Sequence, residues 1–263
     1  MAALSSRMAR CVLAVACCAV VLAGVAHSAA GASQRQKVLF FGDSLSFQAG
    51  PYLQKDFDAA STDVSLHLYP GTALCDWLPE IKALTRSTAP DVVVLQFIGN
   101  HYTRCIETSR NFVTQYGEDL GKAIARLRSI GVKSVVVDAG PTSPKAPWWS
   151  SLVETYRSVI ISFHSRNVIY AAAADASVEG PQGSFVTTLQ CLAVEVKYGK
   201  CDAGTQITVR ASDEVHFCPV PIPSAGTELV ACPVYASGAY RFAKGLARAV
   251  WTLDPATDPY RRT

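Results

Sequence analysis

The sequence predicts an α/β fold: a doubly wound, mostly parallel five-stranded sheet with helices on both faces, forming a three-layer sandwich. Three observations carry this. Short runs of β-branched and aromatic residues recur five times, and several are apolar throughout, as strands buried on both faces are. Segments with helical apolar spacing separate these runs, the alternation expected of βαβ units. The 263 residues suffice for one such domain.

Taken in order, Lys37-Val38-Leu39-Phe40-Phe41-Gly42 is an apolar run that stops at a glycine, and it reads as the first strand. A helix over 47–57 follows, and Gly50-Pro51 is expected to break or kink it. Val64 to Tyr69 alternates like a half-buried strand and ends at Pro70-Gly71. A helix is expected from Asp76 or Pro79 to Thr85, with Trp77, Ile81 and Leu84 on one face. Asp91 to Phe97 is a continuous apolar strand leading into Ile98-Gly99-Asn100. Phe112, Tyr116, Leu120, Ile124 and Leu127 then mark the longest helix, with Gly131 just past its end. Val132 to Val137 is the fourth strand. Beyond a proline-rich loop, Ser151 and Glu154 have capping-box spacing at the head of a helix lined by Leu152, Tyr156, Ile160 and Phe163. Val168 to Ala171 is the fifth strand. Periodicity is lost from 174 to 223, which reads as an insertion, and Phe242, Leu246 and Val250 mark a last helix over 237–251.

Residues 1–32 read as a secretory signal peptide. Arg7 and Arg10 precede an apolar run from Cys11 to Ala26, and small residues follow with cleavage-site spacing. The run is short for a span, which needs about 20 residues, so no membrane segment is expected to remain in the mature chain. Residues 33–263 are then a single domain, secreted or held in the cell envelope. Loss of the two arginines lowers the net charge from +3 to +1. A near-neutral chain gives no sign of a nucleic-acid partner. Six cysteines remain, and an even count in an exported chain points to disulfides. Among the 15 pairings that six cysteines allow, Cys75–Cys105, Cys191–Cys201 and Cys218–Cys232 are the expected ones. The first would tie the loop at Gly71 to that at Asn100. The others would staple the 174–223 insertion around a histidine. No cysteine or histidine spacing favours a metal, no cofactor is implied, and a monomer is expected.

Chemistry concentrates at the strand ends. Ser44 follows the first strand, where it could simply cap a helix or act as an exposed nucleophile near helix-terminal N–H groups. Asp213 precedes His216 by three residues, close enough to reach the imidazole and fix its tautomer. With Gly71 in Tyr69-Pro70-Gly71-Thr72 and Asn100 in Ile98-Gly99-Asn100-His101, the chain presents Ser, Gly, Asn and Asp-x-x-His blocks in order. In these blocks it resembles the SGNH hydrolases, the GDSL esterases and lipases, over most of its length after residue 36. The resemblance implies the SGNH, flavodoxin-like fold and a triad of Ser44, His216 and Asp213. It also implies an oxyanion hole from the N–H groups of Ser44 and Gly71 and the side-chain amide of Asn100. The third block departs from the family pattern: Gly99 is adjacent to the asparagine, and His101 stands where an aspartate is common.

The resemblance implies an exported serine esterase that cleaves an O-acyl ester through an acyl-serine intermediate, with a small acyl ester or an acylated glycan or lipid as substrate. Gly-Thr-Ala-Leu-Cys-Asp-Trp and Gly-Asn-His-Tyr-Thr-Arg-Cys are also similar to SGNH domains that accompany actinobacterial envelope acyltransferases. The alternative is therefore O-acyl transfer on envelope carbohydrate at the same site. A second alternative is a catalytically silent glycan-binding domain, which the complete triad disfavours. Trp77, His101, Trp148 and Trp149 are the candidate substrate contacts, although tryptophans more often pack.

Overall fold

The computed structural model describes residues 35–201, 205–220 and 232–253. The expected signal peptide and the polar tail after Asp254 lie outside the described residues. Five parallel strands, β1 (Lys37–Gly42), β2 (Asp63–Leu68), β3 (Val92–Gln96), β4 (Ser134–Asp138) and β5 (Val168–Tyr170), form one sheet in the order β2-β1-β3-β4-β5. The order reverses between β1 and β3, and in such sheets the crevice beyond the strand ends at that point is where ligands bind.

The helices are α1 (Ser44–Ala59), α2 (Leu74–Trp77), α3 (Ile81–Thr88), α4 (Phe112–Arg128), α5 (Trp149–Ser162), α6 (Ala172–Ala176), α7 (Ala193–Lys197) and α8 (Ser237–Leu253). Alternate residues of the central strands feed two separate cores. Val38, Phe40, Val92 and Val94 pack with Leu53 and Phe57 of α1 and Phe242, Leu246 and Trp251 of α8. Leu39, Phe41, Val93 and Leu95 pack with Leu120 and Ile124 of α4 and Leu152 and Tyr156 of α5. The continuous apolar runs follow from this, because neither face of the central strands meets water.

Some element bounds differ from the sequence expectation. Helix α1 begins at Ser44, three residues early, because Asp43 caps it by accepting the Leu45 N–H at 3.0 Å. It also runs through Pro51, the lost hydrogen bond being offset by the burial of Leu45, Phe47, Leu53 and Phe57. The expected second helix is two short pieces, α2 and α3. Helix α5 starts at Trp149 from a turn in which the Trp149 N–H reaches the Ala146 carbonyl, so Ser151 lies inside the first turn and is no cap. The 174–223 stretch holds α7 and an antiparallel pair, β6 (Thr188–Gln190) with β7 (Gln206–Thr208). Cys75–Cys105, Cys191–Cys201 and Cys218–Cys232 are bonded, with Cα separations of 5.9, 6.2 and 5.5 Å. Among the described residues, no helix is long and apolar enough to cross a membrane.

Candidate active site

Sheet register brings the blocks together. Gly42 at the end of β1 pairs with Leu68 on one side and Gln96 on the other. The backbone extends both ladders by one bond, Tyr69 N–H to the Gly42 carbonyl at 3.0 Å and Asp43 N–H to the Gln96 carbonyl at 3.2 Å. Ser44, Gly71 and Asn100 therefore leave the same sheet edge within a few residues of those pairs. Gly42 permits the turn into α1. A Cβ there would lie 2.6 Å from the Ser46 Cβ, so any larger residue would push the helix off the strand. Ser46 is itself tied down, its N–H donating to Gln96 Oε1 at 3.2 Å.

Ser44 is the first residue of α1, so its N–H has no intrahelical acceptor and the helix dipole favours negative charge beside it. Its Oγ lies 3.0 Å from His216 Nε2, and His216 Nδ1 lies 2.6 Å from Asp213 Oδ2. The other oxygen of Asp213 accepts the backbone N–H groups of Val215 and His216 at 3.0 and 2.9 Å. Burial alone would raise the Asp213 pKa. The hydrogen bonds from the His216 ring and from the two backbone N–H groups outweigh it and hold the carboxyl below its ordinary value. Glu214, at φ 63°, turns away and pairs with Lys145 at 3.4 Å. The sequence thus brings a hydroxyl, an imidazole and a carboxylate into one hydrogen-bonded line.

Asn100 is anchored from two sides. Its Nδ2 donates to the Thr72 carbonyl at 2.9 Å and approaches Asp43 Oδ2 at 3.4 Å, while its own carbonyl accepts the Tyr116 hydroxyl at 2.7 Å. The Thr72 bond joins the loop after β3 to the loop carrying Gly71. Gly71 has φ +78°, and a Cβ placed on it would meet nothing within 4 Å, so its backbone conformation, and not crowding, calls for glycine.

The four aromatic candidates separate into two groups. Trp77 is a packing residue, only 7% exposed, with its ring against Phe41, His67 and Tyr69 and its Nε1 donating to Thr72 Oγ1 at 3.3 Å. Trp149 packs against the core on the α4–α5 side of the sheet and donates its Nε1 to the Gly140 carbonyl at 2.5 Å. Trp77 is thereby taken up in packing, while Trp149 is half-buried and tied to the loop after β4. His101 and Trp148 instead stand together, ring centroids 5.0 Å apart, with Phe112 and the exposed Tyr102 beside them. They border Asn100.

Asp43 does more at this sheet edge than its place in the sequence announces. Asp43 is fully buried, and its Oδ2 accepts the Ile98 N–H at 2.7 Å. Burial lifts its pKa to about 6 against the opposing hydrogen bonds from Ile98 and Leu45. Its place next to the serine is visible in sequence; its bond to Ile98, 55 residues on, is not. Among the described residues, no group of three or more His, Cys, Asp or Glu side chains is arranged to hold a metal ion.

No protein-family model matches the chain, and no curated protein matches it in sequence. It is similar to solved structures. TesA is 16% identical with a TM-score of 0.52, the match covering 83% of this chain and 99% of TesA. The family 3 carbohydrate esterase of Clostridium thermocellum is 11% identical with a TM-score of 0.52, over 85% of this chain and 100% of that one. At such identities the likeness is one of fold. With the β2-β1-β3-β4-β5 order and the helices on both sides, it shows that this chain has the fold of the SGNH hydrolase superfamily.

Proposed function

We propose that the chain is an exported serine esterase that cleaves an O-acyl ester through an acyl-Ser44 intermediate. The observation that carries this reading is the line from Ser44 Oγ through His216 to Asp213, with contacts of 3.0 and 2.6 Å. A serine is a weak nucleophile until a neighbouring base can take its proton, and a base works best when a third group fixes its tautomer. In this reading Ser44 Oγ attacks the ester carbonyl as its proton passes to His216 Nε2. The oxyanion so formed is held by the N–H groups of Ser44 and Gly71 and by the Asn100 amide. Collapse breaks the ester C–O bond, and His216 returns the proton to the departing alcohol. Water, activated by His216, then attacks the acyl group and restores Ser44.

Two features support the assignment of Asn100. Its weak 3.4 Å approach to Asp43 leaves one N–H to be ceded to substrate, and the firm bond to Thr72 keeps the amide in place meanwhile. The fold likeness to TesA and to a carbohydrate esterase agrees with acyl-ester chemistry. The test is intact mass after a fluorophosphonate probe, wild type beside Ser44→Ala, with a short-chain ester assay on the same samples. A single Ser44-dependent adduct with turnover supports the reading. An adduct without turnover moves it to acyl transfer awaiting an alcohol, and no adduct moves it to a silent binding domain.

A further inference from the structure

The proposed chemistry leaves the buried polar network around Arg210 unused. Arg210, on the stretch between β7 and the His216 loop, is 2% exposed. Its Nη1 donates to the Val215 carbonyl at 3.4 Å and its Nη2 to the Thr142 carbonyl at 3.3 Å. The Thr142 N–H is held in turn by Glu179 Oε1 at 2.7 Å. The guanidinium carbon lies 5.0 Å from the centroid of the Phe217 ring. A strut therefore runs from Glu179 through Thr142 and Arg210, and it ends on the peptide immediately before His216. The loop beyond is closed on itself, the Ala211 N–H donating to the His216 carbonyl at 2.7 Å.

Burying a guanidinium is costly, and an apolar residue of similar volume would pack there at lower cost. What only arginine supplies is a planar fork that reaches two carbonyls on separate loops at once. The charges facing it are Glu179, Asp175 and Asp213. Burial lowers its pKa to about 10 against their attraction, so the fork stays cationic at neutral pH.

We infer that Arg210 is a positioning residue: through two long charged contacts made together, its fork ties the Val215 carbonyl to the loop after β4 and so helps set His216 within reach of Ser44. The significance of that reach rests on the esterase reading; the strut itself does not. The test compares Arg210→Lys, which can keep one carbonyl contact, with Arg210→Met, which keeps none. Amide hydrogen exchange is read at Ala211 and His216, with Phe40 and Val94 as core references, beside kcat and KM for a short-chain ester. Loss of a charged hydrogen bond is expected to speed exchange at Ala211 and His216 by about tenfold or more in Arg210→Met, and by less in Arg210→Lys. The core references should not move. The drop in kcat/KM should be about tenfold to a hundredfold and lie in kcat, with KM unchanged, as misplacement of a base predicts. Unchanged loop exchange in a folded variant overturns the inference whatever the activity. Faster loop exchange in a protein whose wild type shows no Ser44-dependent turnover upholds the strut and sinks the esterase reading instead. Should Arg210→Met not fold, the lysine variant carries the same comparison.

Discussion

Asp43 Oδ2 accepts the backbone N–H of Ile98 at 2.7 Å, and through that bond the residue before the serine holds the loop that carries Asn100. Its second oxygen caps α1 at Leu45, so one carboxyl group fixes both the helix that begins at Ser44 and the neighbouring loop. Such a group is ionised only against the cost of its full burial, which raises its pKa from 3.8 to about 6. A raised folded-state pKa means that the protonated form favours folding. The stability it gives is therefore complete below about pH 4 and is lost as pH rises through 6. The span corresponds to about 3 kcal/mol. Asp43→Asn removes the titration, so urea midpoints measured from pH 4 to 8 should show wild type losing this stability relative to the variant. A difference between the two that does not vary with pH would remove Asp43 as the source.

Asp213 acts in the opposite sense. Its carboxyl is held below the ordinary value by the His216 ring and two backbone N–H groups, so it stays ionised in mildly acid solution. Asp213→Asn keeps the shape but presents the wrong hydrogen-bonding face to His216 Nδ1. Turnover of a short-chain ester is expected to fall by about 10³ to 10⁴ with the fold intact by circular dichroism. Near-normal turnover would mean that another group orients His216.

The central strands are legible in the sequence because both faces of the sheet are buried, which forces unbroken runs such as Val92-Val93-Val94-Leu95. Ser44 and Asp213-x-x-His216 are legible because their spacing is local or falls at strand ends. What escapes is set by tertiary contact. Helix α1 tolerates Pro51 because its apolar face is buried, a fact no local pattern announces. Trp77 reads as a possible substrate wall until packing buries it. Arg210 meets Thr142 across 68 residues of sequence, and nothing near either residue signals the meeting.

The Cys75–Cys105 bond closes a loop 30 residues long and links α2, just past Gly71, to the segment after Asn100. By chain entropy its removal should cost about 3 to 4 kcal/mol. The double variant Cys75→Ser, Cys105→Ser is expected to unfold at correspondingly lower denaturant. Its ester turnover should fall further than its folded fraction, because the two loops that would flank the oxyanion lose their covalent tie and keep only the Asn100–Thr72 hydrogen bond. A fall matched by the folded fraction alone would limit the bond to stability.

Gly71→Ala and Asn100→Ala separate backbone strain from lost chemistry at the proposed oxyanion hole. A Cβ at Gly71 meets nothing within 4 Å, but the φ of +78° must be adopted by a residue that disfavours it. The cost is about 1 to 2 kcal/mol of stability, and the N–H that would face the oxyanion remains. Turnover of folded Gly71→Ala should therefore stay within about tenfold of wild type, since a small displacement of one donor is tolerated far better than its deletion. Asn100→Ala deletes a donor, and kcat should fall by about 10² to 10³ with KM little changed. It also frees the Thr72 carbonyl, so amide exchange over residues 71–74 is read on the same variant: unchanged exchange beside the kcat loss assigns that loss to the amide and not to loop movement. Equal kcat losses in the glycine and asparagine variants would mean that loop geometry, and not the amide, is what the site draws from Asn100.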